Sequence, residues 1–225
     1  MPLNLLRPPR PLIYLITSGE ATAQTTPAAE DFSSVLQLVQ ASVAARIDLV
    51  QIREKHLSAT VLYQLATSAA GITRGTATKL LVNDRADIAA AAGADGVHLT
   101  TSSLPTAVVR RSFGDRFLIG VSTHSLGEAS LARSSGADFV VFGPVFETTS
   151  KREYGAPLGL NNLATVCAEL SPFPILALGG VTLDNVAECI RAGAGGVAAI
   201  SMLQQPERLA DVAAEVRRSF EDESL

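Results

Sequence analysis

The chain has 225 residues, of which 47% are hydrophobic and 18% are charged, and its formal net charge at pH 7 is −4. This length is enough for one large domain with a buried core, and the composition is that of a globular protein. The negative charge gives no electrostatic reason to expect a nucleic acid or an anionic membrane surface as partner, and no apolar run approaches the ~20 residues of a membrane helix. Small phosphorylated substrates are not excluded, because a local cluster of cations is enough to bind them.

The beginning of the chain and its two cysteines indicate where the protein resides. Residues 1–11 are rich in proline and are predicted to be a flexible lead-in, which leaves 12–225 as the folded domain. They contain no apolar signal core. Cys167 and Cys189 both fall in predicted helices without metal-ligand spacing. We therefore expect buried, unpaired thiols in a cytoplasmic protein.

Eight short apolar strands alternate with helices along the chain. Strands that are apolar at consecutive positions are buried on both faces, which is typical of a parallel sheet covered by helices. The predicted strands are 12–17, 49–53, 79–82, 96–99, 117–121, 139–142, 175–178 and 196–200. The helices that follow them begin near Asp31, Ser58, Asn83, Pro105, Leu126, Leu160, Asp184 and Glu207.

One short pattern recurs at the junctions between helices and strands. Gly-Ala-Asp precedes an apolar strand at 93–95 and again at 136–138, and Gly-Ala-Gly does so at 193–195. Such self-similarity indicates one βα unit used repeatedly. Eight units in this length predict a single-domain α/β protein, a (β/α)8 TIM barrel. A doubly wound open sheet is the alternative, but it normally needs a Gly-rich fingerprint after the first strand, where only Ser18-Gly19 stands.

Polar residues collect where the predicted strands end, and barrel enzymes carry their active sites on that face. The opposite strand ends carry Gly, Ala and Asp turn residues, so the asymmetry predicts an active site at one end of the barrel. The candidate residues are Gln51, Arg53, Lys55, Asn83, Asp84, Ser122, His124, Thr148, Ser150, Lys151, Gly179, Gly180, Ile200 and Ser201.

Two candidate phosphate sites stand among these residues. Gly179-Gly180 and Ile200-Ser201 precede the last two helices, where backbone N–H groups at a helix N-terminus commonly bind phosphate. Glycine allows the backbone to approach such a group closely. A Gly-Gly pair after a strand is also an ordinary turn, and the sequence leaves that alternative open.

The second site gathers cations. Arg53, Lys55 and Lys151, together with Asn83, would place three positive charges at one mouth, which suits a diphosphate. Asp84 beside them is a candidate ligand for Mg²⁺, which takes one or two carboxylates plus phosphate oxygens. Asn83 and Asp84 equally fit a helix cap and a first-turn acid.

The three histidines have different positions. His124 follows a strand at its C-terminal end and is the candidate for proton transfer, although Ser125 beside it also fits a helix-capping turn. His98 lies within a strand and is predicted to be an internal barrel residue. His56 is predicted to lie in a surface loop.

Taken together, these residues resemble the thiamine phosphate synthase/TenI family from about residue 12 to residue 215. The segments that carry the resemblance are 14–17, 50–55, 82–85, 93–99, 120–124, 143–151 and 178–180. The resemblance implies a (β/α)8 barrel. For the synthases it implies a transferase that joins hydroxymethylpyrimidine diphosphate to thiazole phosphate. It also implies that Mg²⁺ and cationic side chains stabilise the departing diphosphate, and that the thiazole nitrogen captures a pyrimidine carbocation.

The same resemblance assigns roles to the candidate residues and makes a homo-oligomer plausible. Ser122, His124 and Lys151 are the residues it places at the reacting centre, Ser122 against the pyrimidine, and Asp84 is the Mg²⁺ ligand. Those implied for the pyrimidine diphosphate are Gln51, Arg53, Lys55, Asn83 and Lys151. Those implied for the thiazole phosphate are Thr148, Ser150, Gly180, Ile200 and Ser201.

The chain departs from the synthase pattern at a few positions. Ser103 stands where the synthases carry a second Mg²⁺-binding aspartate, and Ser18 replaces another aspartate. Phe-Glu-Thr at 146–148 is closer to the TenI branch, which includes a thiazole tautomerase that uses the histidine matching His124. Asp84, Lys55 and Lys151 are all retained, which favours the synthase because a tautomerase has less need for them. We therefore predict a synthase, with a TenI-type tautomerase (an isomerase) or a non-catalytic phosphate binder of the thiamine pathway as alternatives.

Overall fold

Eight parallel strands close into a barrel in a computed structural model of the chain, which describes residues 11–148 and 156–221. Each strand pairs with its neighbours in sequence, and Leu12 of the first strand pairs with Gly196 of the last to close the ring. The predicted TIM barrel is confirmed, and the open sheet is excluded. The strands are β1 Leu12–Ile16, β2 Leu49–Ile52, β3 Lys79–Asn83, β4 Gly96–Leu99, β5 Leu118–Thr123, β6 Phe139–Phe142, β7 Ile175–Leu178 and β8 Gly196–Ala199.

One α-helix follows each strand and packs on the outside of the barrel. The helices are α1 Glu30–Ala44, α2 Ala59–Thr73, α3 Ala86–Ala92, α4 Thr106–Phe113, α5 Leu126–Ser134, α6 Gly159–Leu170, α7 Val186–Arg191 and α8 Leu209–Glu221. Two 3₁₀ turns, Ser201–Leu203 and Pro206–Arg208, separate β8 from α8. The last helix therefore begins two residues later than predicted, because Pro206 opens a tighter turn first.

Side chains of the strands alternate between the bore of the barrel and the layer beneath the helices, as the two-residue period of a strand requires. The layer beneath the helices forms the larger apolar cluster. The bore contains a separate, smaller cluster, made by Leu12, Tyr14, Ile16, Leu49, Leu81, Leu118, Phe139, Val141, Leu176 and Ala198. Because of this alternation, a polar side chain enters the bore only from every second residue of a strand.

Aspartates lock three pairs of strands together at the end of the barrel where the strands begin. Each stands just before an even-numbered strand and accepts a hydrogen bond from a backbone N–H of the strand before it. The bonds are Ile13 N to Asp48 Oδ2 (3.0 Å), Leu80 N to Asp95 Oδ2 (2.9 Å) and Ile119 N to Asp138 Oδ2 (2.7 Å). The recurring Gly-Ala-Asp pattern therefore serves strand pairing at this end, and Gly195 takes the equivalent place before β8.

Cys167 and Cys189 are both buried and unpaired, as predicted. Burial raises the pKa of each thiol to about 12, so neither is a reactive thiolate at neutral pH. Among the described residues, no helix combines the length and the hydropathy that crossing a membrane requires. The predicted lead-in lies outside the described residues except for Pro11, which is buried.

Candidate active site

Gln51 and Asn83 meet in the bore near the end of the barrel where the strands end, which we call its upper end. Both are strand residues, on β2 and β3, and Gln51 Nε2 donates to Asn83 Oδ1 over 2.9 Å. Gln51 is 1% exposed, and its Oε1 atom has no hydrogen-bond partner among the described residues. A buried acceptor left unpaired costs free energy, so this oxygen fits an N–H group of a ligand. The bond also leaves the Nδ2 atom of Asn83 as a donor.

Lys55 and Asp84 line a cavity of about 300 Å³ at the mouth, together with Thr100 and Ser102 from the loop after β4. Partial burial and the charge of Arg53 lower the pKa of Lys55, and the charge of Asp84 opposes that shift. The cavity therefore combines a cation and a carboxylate close enough to influence each other. This is the arrangement expected where a multiply charged anion binds beside a metal ion.

Asp84 is the residue available to a magnesium ion. Its backbone adopts a left-handed conformation, with φ of 62°, and its N–H donates to the carbonyl of His98 over 2.8 Å. Among residues 11–148 and 156–221, no three acidic, histidine or cysteine side chains cluster as metal ligands. Ser103 Oγ instead accepts a hydrogen bond from the backbone N–H of Thr100 over 2.8 Å, within the loop that follows β4. One carboxylate fits Mg²⁺, which completes its shell with water and phosphate oxygens, and does not fit Zn²⁺.

Ser122 is tied to the interior of the barrel. His98 Nε2 lies 2.9 Å from Ser122 Oγ, and His98 Nδ1 lies 3.2 Å from the hydroxyl oxygen of Tyr14. His98 is 2% exposed, which confirms that it is an internal barrel residue. Burial lowers its pKa to about 3, so the ring is neutral throughout the physiological range.

His124 lies at the exposed rim, immediately before α5. Its Nδ1 atom is hydrogen-bonded to the carbonyl oxygen of Gly143, and its backbone N–H donates to Glu128 Oε2 over 2.7 Å. Ser125 caps the helix by accepting the N–H of Glu128. The capping turn considered from the sequence is thus present. It involves Ser125 and leaves the imidazole of His124 available for proton transfer. Because a carbonyl can only accept, Nδ1 is the hydrogen-bond donor, and in the neutral form of the ring Nε2 is the acceptor.

The turn after β7 packs tightly against the loop that follows β6. Val145 N donates to the carbonyl of Leu178 over 2.8 Å, and Phe146 N donates to that of Gly179 over 2.9 Å. Gly180 has φ of 65°, and its α-carbon faces the backbone of this loop. The Gly-Gly pair therefore has a packing role, and its predicted phosphate role stays a prediction. Thr148 ends the described stretch of the loop, and Ser150 and Lys151 lie outside the described residues.

The end of β8 completes the rim. Ile200 packs against the bore cluster, and Ser201 is exposed at the start of the first 3₁₀ turn. Gln204, which the sequence did not single out, joins this turn to β1. Its Nε2 atom donates to the carbonyls of Ile16 (2.9 Å) and Ile200 (3.1 Å).

Glu54 is a second residue that the sequence analysis missed as part of the site. It is only 3% exposed, and its carboxylate accepts hydrogen bonds from Thr17 Oγ1 (2.6 Å), Gly19 N (3.3 Å) and Ala21 N (3.0 Å). Arg53 N in turn donates to Thr17 Oγ1. The signal was present as an acidic residue directly after an apolar strand, but its partners are remote in sequence.

The family model described as thiamine monophosphate synthase matches residues 13–203. The chain belongs to the thiamine monophosphate synthase family. Among its relatives, a putative thiamine-phosphate synthase of Geobacter sulfurreducens is 46% identical over 169 residues, which cover 75% of this chain and 79% of that protein. The thiamine-phosphate synthase of Chloroflexus aurantiacus is 38% identical over 180 residues, covering 80% and 82%.

A solved structure agrees with the family assignment. Thiamine phosphate pyrophosphorylase from Pyrococcus furiosus has a TM-score of 0.75 and 28% identity, covering 94% of this chain and 96% of that one. The predicted family, the predicted barrel and the predicted enzyme class, a transferase, are thereby confirmed.

Proposed function

We propose that the chain is a thiamine-phosphate synthase that joins hydroxymethylpyrimidine diphosphate to thiazole phosphate, with release of diphosphate. Relatives that carry the synthase name at 38 to 46% identity support this function. The structural observation that carries it is the shared cavity of Lys55, Asn83 and Asp84, beside the buried amide of Gln51. A cation, an amide donor and a carboxylate at one mouth suit a diphosphate group and a metal ion.

The bond that breaks in this reaction joins the methylene carbon of the pyrimidine to an oxygen of the diphosphate. Its electron pair leaves with that oxygen, and Arg53 and Lys55 stabilise the charge that develops there. The lone pair of the thiazole nitrogen then forms the new C–N bond. Lys151, which lies outside the described residues, is a further cation proposed for the leaving diphosphate.

Asp84 would hold Mg²⁺ in this site. When bound, the ion supplies positive charge to the diphosphate oxygens. With Ser103 engaged in its own loop, Asp84 is the single carboxylate we assign to the ion. We therefore expect the chain to need a higher Mg²⁺ concentration than a site with two carboxylates would.

The thiazole phosphate would bind on the other side of the rim. Backbone N–H groups near Gly180 and Ser201, at the turns that follow β7 and β8, are the proposed donors. Thr148 and Ser150, in the loop after β6, and Ile200 complete the proposed set.

A second activity, isomerisation of a thiazole phosphate by proton transfer, has one observation in its favour. The bond between His124 Nδ1 and Gly143 makes Nδ1 the donor, so that in the neutral ring the lone pair is on Nε2. An imidazole held in this way can take up a proton from a bound substrate and return it.

One assay separates the two activities. Purified protein is supplied with hydroxymethylpyrimidine diphosphate and thiazole phosphate, with and without Mg²⁺, and both thiamine phosphate and the thiazole isomers are measured. For the synthase we expect Mg²⁺-dependent thiamine phosphate, lost in Asp84→Asn and retained in Asp87→Asn, an exposed acid outside the cavity. Isomerisation without thiamine phosphate, abolished by His124→Ala, would instead assign the tautomerase.

We also propose a cytoplasmic homo-oligomer without a nucleic-acid partner. The two unpaired, buried thiols support the compartment, and the net charge of −4 supports the absence of a nucleic-acid partner. The homo-oligomer rests on the resemblance to the family alone. Sedimentation of the purified chain tests the oligomer, and a single species of about 24 kDa would contradict it.

A further inference from the structure

Three side chains from different strands form one hydrogen-bonded chain across the bore. Tyr14 on β1 contacts His98 on β4 over 3.2 Å, and His98 contacts Ser122 on β5 over 2.9 Å. Tyr14 is fully buried and His98 is 2% exposed, whereas Ser122 is half-buried at the upper end of the bore. The chain therefore runs from the interior of the barrel to the mouth of the site.

The number of hydrogens fixes the direction of both bonds. Among the described residues, His98 Nδ1 is the hydrogen-bond partner of the Tyr14 hydroxyl. If Nδ1 carried the imidazole proton, the hydroxyl hydrogen of Tyr14 would be buried without an acceptor, which is costly. Tyr14 must therefore donate to Nδ1. The ring proton is then on Nε2, and it is donated to Ser122 Oγ.

Packing holds the imidazole in this orientation. A methyl group at Gly120 would lie 2.8 Å from His98 Nδ1 and 2.4 Å from Phe139 Cζ, so the absence of a side chain at Gly120 makes room for both rings. Tyr14 and Phe139 pack edge-to-face, with centroids 5.6 Å apart. A flipped imidazole would turn carbon atoms towards Tyr14 and Ser122 and would lose both bonds.

We propose that Tyr14 and His98 are positioning residues that set the Ser122 hydroxyl as a hydrogen-bond donor to an unprotonated aromatic nitrogen of the substrate. Because Ser122 Oγ already accepts the proton on Nε2, its own hydrogen is directed to another acceptor. A ring nitrogen with a lone pair fits this donor, and a protonated ring nitrogen does not. The identity of that ring as the pyrimidine rests on the proposed function, but the proton arrangement does not.

The first test needs no activity. In the full chain carrying His56→Gln and His124→Gln, His98 is the one remaining histidine, and ¹⁵N NMR reads its two ring nitrogens directly. We expect Nε2 protonated and Nδ1 unprotonated at pH 7, with a shift of the Nδ1 signal in Tyr14→Phe, which removes the hydrogen-bond donor. A protonated Nδ1, or an Nδ1 signal unmoved in Tyr14→Phe, would overturn the proposal.

The second test asks whether His98 acts through Ser122. Asparagine at position 98 leaves no group near Ser122, whereas the longer glutamine can place an N–H donor where Nε2 lies. We expect His98→Asn and Ser122→Ala each to weaken binding of hydroxymethylpyrimidine diphosphate about tenfold, the effect of one lost hydrogen bond, and His98→Gln to recover most of it. Equal binding by His98→Asn and wild type, with Ser122→Ala impaired, would show that His98 does not position Ser122.

The two tests separate this inference from the proposed function. If no variant or wild-type protein binds the pyrimidine diphosphate, the function is wrong, and the NMR pattern of His98 still decides the direction of the hydrogen bonds.

Discussion

At the scale of single residues, His98 shows how burial sets the behaviour of the bore. An imidazole that stays neutral in the folded chain but is protonated in the unfolded chain makes stability depend on pH. The pKa of His98 falls from 6.5 to about 3 on burial. Between these values the unfolded state binds more protons than the folded state. The contribution of neutral His98 to the free energy of unfolding is therefore fully present above pH 6.5, and it is lost progressively as pH falls towards 3.

We expect His98→Gln to weaken this dependence. Relative to pH 7, wild-type protein should lose about 2 kcal/mol of unfolding free energy at pH 5 through His98 alone, and the variant should not lose that share. Urea denaturation of both proteins at the two pH values measures the difference. His56→Gln is the control, because His56 is exposed. Parallel curves for wild type and His98→Gln would show that His98 titrates normally.

The sequence predicted that His98 is internal, but not what it contacts. The apolar pattern of β4 is local, so it could be read from neighbouring residues. Tyr14 and Ser122 are 84 and 24 residues away, and only closure of the barrel brings them to the ring. The same holds for Gln51 and Asn83, which were predicted for one site without any indication that they bind each other.

At the scale of elements, the loop after β1 is fastened to the end of β2 by one carboxylate. Glu54 accepts three hydrogen bonds from Thr17, Gly19 and Ala21, and it is buried. This places the loop beside Arg53, whose backbone N–H also bonds to Thr17. Glu54 thus connects loop order to the position of a proposed substrate-binding residue.

Glu54→Gln should loosen this loop. An amide offers one acceptor oxygen where the carboxylate offers two, and its NH₂ group faces donors, so we expect a loss of about 1–3 kcal/mol in unfolding free energy. Hydrogen exchange should rise at the amides of Gly19 and Ala21. Glu20→Gln removes the same charge from an exposed neighbour and should change stability by no more than about 0.5 kcal/mol. Equal effects of the two substitutions would mean that the bonds of Glu54 are not stabilising.

The turn after β7 and the loop after β6 form a second coupled pair. A methyl group on Gly180 would lie 2.5 Å from the carbonyl oxygen of Glu147 and 2.7 Å from Phe146 Cβ. These distances are too short, so any side chain at Gly180 must push the loop away. That loop leads to Thr148, which is proposed to bind the thiazole phosphate.

Gly180→Ala should therefore lower the free energy of unfolding more than an ordinary glycine substitution does. Gly75→Ala is the matched control, because Gly75 has a similar φ of 77° and nothing within 4 Å of the added methyl group. We expect both variants to lose about 1–2 kcal/mol of unfolding free energy, because alanine is unfavourable in a left-handed backbone. Gly180→Ala should lose more than this and should also bind thiazole phosphate more weakly. Urea denaturation and calorimetry measure the two effects. If Gly180→Ala matches Gly75→Ala in unfolding free energy and in thiazole phosphate binding, the turn after β7 does not influence the site.

Element types were predictable because the strands are short, apolar and bounded by glycine or polar residues. The ends were less so. β5 continues to Thr123, two residues beyond its predicted end, because Thr123 pairs with Phe142 of β6 and its carbonyl accepts the N–H of Gly143, directly after that strand. A polar Ser-Thr pair ends a strand in most contexts, and only the neighbouring strand extends it here.

At the scale of the whole molecule, the repeated units carry out different tasks at the two ends of the barrel. The aspartates before β2, β4 and β6 pair strands at one end, and the candidate catalytic residues lie at the other. The sequence revealed the repeat but assigned these aspartates to turns, because their partners are backbone groups of another strand. The fourth junction lacks the aspartate: Gly195 N donates to the carbonyl of Ile175 over 2.9 Å without a carboxylate to receive the N–H of Ile175.

Gly195→Asp should supply the fourth carboxylate and stabilise the barrel. The added Cβ would lie 3.7 Å from Ile175 O and 3.9 Å from Ile175 N, an ordinary contact distance, so space is available. We expect a gain of about 1 kcal/mol from the hydrogen bond, beyond the gain of Gly195→Ala, which reports the loss of glycine flexibility alone. Thermal and urea unfolding measure both. An aspartate variant no more stable than the alanine variant would show that the contact does not form.

The chain of bonds from Tyr14 through His98 to Ser122 also has a mechanical consequence. β1 and β4 lie on nearly opposite sides of the ring of strands, so the bond between their side chains acts as a diagonal brace. A change in the distance between these two strands would break that bond in a tightly packed interior. We therefore expect substrate-induced motion to be concentrated in the rim loops, with the strands beneath them changing little.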